Sequence, residues 1–150
     1  MGIARTYAAL VLLAKGDAAG AEAEARAASS ELAAIPTSRA DAIAARARAL
    51  LALGRKDEAL AASTEAFALL SELGTVDDGE TRIRLARVEA LLAADQTERA
   101  RAILAETVEK LERRAHKLGD AQLRRSFLAR VPENARVFWL ARTYDVRDVT

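Results

Sequence analysis

The sequence predicts an all-α fold of helical hairpins, on three observations. Thirty-seven of the 150 residues are Ala, the residue with the highest helix propensity. β-branched residues and Gly/Pro turn clusters are too sparse for a sheet protein. Turn signals fall between amphipathic stretches at near-regular intervals. Hydrophobic residues make up 51% of the chain but aromatics only 4%, so the core is built from Ala and Leu, and helices can approach closely over long contacts.

The elements follow in order. Residues 3–14 place Tyr7, Leu10, Val11 and Ala14 at helical spacing, and Gly16-Asp17 marks the turn. A second helix runs from about Ala18 to Ala34. Pro36 stops it, and Thr37 or Ser38 is the expected cap of the third, which ends at Gly54. The fourth helix covers about Lys56 to Leu73 and closes at Gly74, followed by a linker in which Asp77 and Asp78 serve as turn and cap residues. Helix five spans about Glu80 to Ala94, with Asp95-Gln96 as its turn. Helix six runs from Thr97 or Glu98 to Leu118, and Gly119 closes it. Asp120 caps a short seventh helix to about Arg130, and Pro132 opens an eighth reaching Tyr144. The tail, 145–150, is expected to fray.

Self-similarity turns this series into an architecture. LLAKGDAAGAEAEARAA, LLALGRKDEALAASTEA and LLAADQTERARAILAET align without gaps from Leu12, Leu50 and Leu91. The turn positions Gly16, Gly54 and Asp95 lie 38 and 41 residues apart. Small positions recur as Ala9, Ala47 and Val88, as Ala21, Ala59 and Ala100, and as Ala28, Ala66 and Thr107. Three hairpins, about 3–36, 38–74 and 80–118, therefore make up residues 1–118, and 119–144 form C-terminal capping helices.

This pattern resembles the tetratricopeptide repeat family: a small residue in the first helix, a Gly-Asp-like turn, an Ala soon after it and another seven residues further on. The chain departs from that family in periods above its usual ~34 residues, and in Ala or Leu at most of its large aromatic positions. The closing segment from Arg124 to Arg142, with SFL at Ser126–Leu128 and VPEN at Val131–Asn134, resembles the C-terminal repeat regions of large bacterial regulatory proteins such as serine/threonine kinases. That resemblance implies a fragment of a longer signalling protein.

The tetratricopeptide resemblance also implies an α-α superhelix whose concave groove is lined by the first helix of each pair. Carried residue by residue, the groove set is Thr6 and Leu10, then Asp41, Ala44, Arg48 and Leu51, then Arg82, Leu85 and Glu89. The implied function is a scaffold that binds a protein or peptide partner in that groove. The alternative is structural: self-association of the parent as a homo-dimer, through the first hairpin or the Trp139 helix. A bulky residue at Ala59 is expected to unfold the domain, whereas one at Ala44 should mainly disturb binding.

No enzyme is expected. His116 is the single histidine and there is no cysteine, so neither a His pair nor a thiolate is available for metal or nucleophilic chemistry. GDAAG at Gly16–Gly20 lacks the spacing of a phosphate loop and reads as a turn. Glu22, Glu24, Asp57, Glu58 and Glu65 read as solvated carboxylates on polar helix faces. Catalytic residues, cofactors and metals are all expected to be none. The absence of cysteine, of an apolar run long enough to span a bilayer and of a signal peptide points to the cytoplasm, with no membrane partner.

Net charge is +1, yet residues 111–150 hold 9 Lys/Arg against 5 Asp/Glu. The basic group Arg113, Arg114, Lys117, Arg124, Arg125 and Arg130 reads as a solvated face, because no aromatic set is interleaved with it, and nucleic acid is not expected as a partner. Phe127, Phe138, Trp139 and Tyr144 are assigned to core packing of the capping helices.

Overall fold

The structure, a computed structural model, describes residues 1–74 and 79–146. Its elements are helices: α1 (Gly2–Ala14), α2 (Ala18–Glu31), α3 (Pro36–Ala52), α4 (Lys56–Leu73), α5 (Glu80–Ala93), α6 (Thr97–His116), α7 (Ala121–Arg130) and α8 (Pro132–Thr143). No strand occurs among the described residues. Asp77, Asp78 and the last four residues of the expected tail lie outside them. The chain divides into two compact units, Met1–Gln96 and Thr97–Thr150, so α5 and α6 of the third expected hairpin belong to different units.

Helix ends show how local sequence sets the elements. Gly16 and Gly54 adopt φ of 86° and 78°, and Asp95 stands at 59°. At each turn the residue after the left-handed one donates its backbone N–H five positions back at 2.9 Å: Asp17 to Leu12, Arg55 to Leu50, Gln96 to Leu91. This is a Schellman closure, which satisfies carbonyls that the helix end would otherwise leave open. The same closure ends α8, where Asp145 has φ 52° and Val146 donates to Ala141 at 2.8 Å.

Pro36 opens α3 instead of only ending α2. It occupies the first helical turn with Ile35 as the cap residue, and no side chain caps that end. Proline has no N–H to leave unsatisfied there and its φ is already helical, so Thr37 and Ser38 are inside the helix and are not its caps. Asp120 does cap α7, its Oδ1 accepting from the backbone of Gln122 at 2.6 Å and of Leu123 at 3.3 Å.

In the first unit α3 is the central helix, packed against α1, α2, α4 and α5. Its buried residues, Ala40, Ala42, Ile43, Ala44, Ala45, Ala47, Ala49 and Leu50, lie on nearly every side. Six of the eight are Ala, because four helices converge on one and Ala lets backbones approach. Among the described residues α1, α3 and α5 meet in sequence, α2 also packs on α3 and α4 on α5, and α2 and α4 do not touch.

The repeat register is visible as burial. Ala9, Ala47 and Val88 are at most 1% exposed, as are Ala21, Ala59 and Ala100, and Ala28, Ala66 and Thr107. Two further rows on the second helices, Ala25, Ser63, Leu104 and Leu32, Leu70, Leu111, are buried as well. In the second unit α6, α7 and α8 pack on one another. Val137, Leu140 and Ala141 of α8 are buried, whereas α7 has no buried residue. Trp139, assigned to the core from sequence, is 47% exposed: it lies off the buried stripe, with the Arg136 guanidinium 4.5 Å above its ring.

Candidate interaction face

The groove residues expected from sequence fall into rows in the first unit, each row holding one repeat position from successive first helices. Asp41 and Arg82 form one, Thr6, Ala44 and Leu85 a second, Leu10, Arg48 and Glu89 a third, and Leu51 begins a fourth. On a helix these rows are three or four residues apart, so they share one side of α1, α3 and α5.

The structure brings the charged members of each row together. Arg82 forks the Asp41 carboxylate, Nε to Oδ1 at 3.0 Å and Nη2 to Oδ2 at 2.8 Å. Both side chains are largely buried, 16% and 14% exposed. Asp41 also lies against the start of α5: a Cβ on Gly79 would stand 2.7 Å from the Asp41 Cγ, and Gly79 has φ 92°. Only glycine fits both the conformation and the space. One row further on, Arg48 Nε stands 3.9 Å from Glu89 Oε2, an ion pair beyond hydrogen-bond reach. That Nε is buried and has no hydrogen-bond acceptor.

The apolar row is core, not surface. Thr6 is 4% exposed, Ala44 0% and Leu85 1%, and the Thr6 hydroxyl donates to the Gly2 carbonyl at 3.2 Å. Ala44 belongs to the same cluster as Ala47, Ala59 and Ala66. Of the set, Leu10, Arg48, Leu51 and Glu89 keep partly exposed side chains in adjoining rows. They form a short band of two leucines around an Arg–Glu pair.

Sequence reasoning missed several buried charges. Glu22, read as solvated, is 5% exposed, because Arg46 Nε of α3 donates to it at 3.0 Å and Arg26 approaches to 4.0 Å. Arg87, which occupies in α5 the repeat position of Arg46, reaches back to α4 and donates to Thr64 Oγ1 at 2.8 Å. Arg84 lies over the Phe67 ring at 5.8 Å. The signal that could have found them is the repeat itself: an Arg at one position of both α3 and α5 faces the second helix of the preceding hairpin. At the other end of the unit, Arg5 donates to Glu31 at 2.9 Å and to Glu24 at 3.1 Å, and the Met1 ammonium donates to Glu31 at 2.9 Å. The ammonium, donating to the carboxylate, holds Glu31 below the usual glutamate range, with Arg5 adding to the effect. Glu31, then Glu24, raises Arg5 in turn.

Elsewhere, His116 is exposed at the last position of α6. Among the described residues no cluster of three or more His, Cys, Asp or Glu could hold a metal ion, and no helix is long and apolar enough to cross a membrane. Arg114 of the basic group lies 5.2 Å from the Phe127 ring centroid. Leu128, Ala129, Ala135, Phe138 and Arg142 line an open cavity of about 290 Å³ between α7 and α8. Comparison with family models, curated protein sequences and solved structures finds no match.

Proposed function

We propose that the chain is a non-enzymatic protein-interaction module, a tetratricopeptide-like stack that binds a protein or peptide segment along the shared side of α1, α3 and α5. The observation that carries this reading is the Arg48 Nε, a buried N–H with no acceptor, set in a band flanked by Leu10 and Leu51. A buried donor without an acceptor costs about 1–3 kcal/mol, and an incoming backbone carbonyl or carboxylate would remove that cost. The leucines supply apolar contact for the segment's side chains.

The pairing of Asp41 with Arg82 narrows the partner. With both charges satisfied by each other, recognition falls to Leu10, Leu51 and Arg48, and favours an apolar segment carrying one acceptor or acidic group over a highly charged one. A place in a larger regulatory protein of the cytoplasm fits this role, with nucleic acid disfavoured by the near-neutral balance of charge. Selection from a displayed peptide library, followed by fluorescence anisotropy, tests the reading. Arg48→Ala should weaken a selected peptide about tenfold, the value of one hydrogen bond to a charged group, with the circular dichroism spectrum unchanged. Undiminished binding by that variant would remove Arg48 from the site.

A further inference from the structure

Helices α7 and α8 carry Arg124, Arg125, Arg130, Arg136 and Arg142 against Glu133 alone. Arg136 lies over the Trp139 ring. Arg125 and Arg142 are exposed, and among the described residues neither has an acidic partner. Between the two helices lies the open cavity of about 290 Å³, and its walls are set by the joint. α7 ends at Arg130 and α8 begins at Pro132, with Val131 extended between them at ψ 118°. Asn134, 3% exposed, donates from Nδ2 to the Phe127 carbonyl at 2.9 Å. A buried side chain of one helix that holds the backbone of the other fixes the cavity before any ligand enters. Ala129 and Ala135, on either side of the joint, leave space that larger side chains would fill.

The lining defines the chemistry that fits. Leu128, Ala129, Ala135 and Phe138 supply apolar walls, and the Arg142 side chain completes them with a cation. Arg125 stands three residues before Leu128 and four before Ala129, so it shares their side of α7. Two guanidinium groups without acidic partners beside an apolar cavity suit an anionic head on an apolar body. A carboxylate meets the guanidinium fork with two parallel hydrogen bonds. The volume limits the body: at about 30 Å³ for each water-sized group, the cavity holds about ten non-hydrogen atoms. That is one short chain or one ring, not the paired chains of a phospholipid.

We infer that α7 and α8 form a binding site for a small amphipathic carboxylate, its apolar body against Leu128 and Phe138 and its head on Arg142 and Arg125. The site lies within the second unit and shares no residue with the peptide-binding face of α1, α3 and α5, so neither depends on the other. For a ligand of about ten non-hydrogen atoms the expected Kd is about 0.1–1 mM.

Octanoate is the probe, titrated into the isotope-labelled chain and followed by backbone amide chemical shifts. Saturable changes should centre on Leu128, Ala129, Ala135 and Phe138. Octanol, which has the chain without the charge, should bind about tenfold more weakly, and Arg142→Gln should weaken octanoate by a similar factor, the value of a hydrogen bond to a charged group. Arg125→Gln should have a smaller effect in the same direction. Both arginines are exposed, so the circular dichroism spectra should not change. Ala129→Phe, which places a ring in the cavity from an exposed position, should abolish saturation. Shifts that do not saturate by about 10 mM octanoate overturn the assignment. So does octanol binding as tightly as octanoate, or undiminished binding by Arg142→Gln or Ala129→Phe. Shifts produced by phosphatidylglycerol vesicles and not by free octanoate would also overturn it, giving these arginines to a lipid surface instead.

Discussion

Asp41 and Arg82 occupy one repeat position in successive hairpins and are joined side chain to side chain, the guanidinium forking the carboxylate at 3.0 and 2.8 Å across 41 residues of sequence. The pair ties α3 to the first turn of α5. Because neither side chain is more than 16% exposed, removing one partner strands the other's charge away from water. Arg82→Ala or Asp41→Ala should therefore cost roughly 2–3 kcal/mol in urea unfolding, whereas the double variant should recover much of that loss. Arg82→Glu should be worse than either, since it sets two carboxylates face to face. Equal, additive losses in the double-mutant cycle would show that the contact carries no coupling.

Ala44 and Ala59 were expected to divide binding from stability. Both are wholly buried in one core cluster, so Leu at either position should overpack it and cost about 1–3 kcal/mol. Thermal unfolding of the two variants checks this. A stable Ala44→Leu protein would mean that α3 has room on the side facing α1 and α5.

The turn positions offer an independent test of the repeat. A Cβ on Gly54 meets nothing within 4 Å, so Gly54→Ala is penalised by backbone conformation alone, by about 1 kcal/mol. Asp95 already pays part of that penalty at φ 59°, and Asp95→Gly should stabilise by about 0.5 kcal/mol. Opposite signs at equivalent turns are the expected result, read from chemical denaturation midpoints.

Acid should loosen the first hairpin. Glu31 is held below its usual range by the Met1 ammonium and Arg5, so the folded state prefers it ionised more strongly than the unfolded chain does. Its contribution is complete above the usual glutamate range and is lost as pH falls through the lowered value. Melting curves from about pH 6 down to about pH 3 should find wild type above Glu31→Gln at the upper end, with the gap closing toward the lower end. A gap independent of pH would assign the difference to packing.

The helices and their turns were legible because packing and helix ends leave periodic traces. Ala9, Ala47 and Val88 recur at one position, and Gly16, Gly54 and Asp95 at another, and both are properties of a helix taken singly or with its nearest partner. The pairings that occupy the expected groove were not legible. Whether Asp41 meets Arg82, or Glu22 lies buried beneath Arg46, depends on the lateral alignment of two helices, which hydrophobic periodicity does not encode. Pro36 was misjudged for a simpler reason: a proline between helices serves equally as a stop or as a first helical residue, and only the path of the chain decides. Trp139 shows the remaining gap, since bulk and apolarity mark it for the core while its angular position on α8 turns it outward.

The proposed binding face is the shared side of α1, α3 and α5. Titration of a library-selected peptide into isotope-labelled protein, followed by backbone amide chemical shifts, tests it most directly. The largest changes should cluster at Leu10, Arg48, Leu51 and Glu89, with α2 and the outer side of α4 undisturbed. Changes confined to α2, α4 or residues 97–146, with those four amides unmoved, would contradict it.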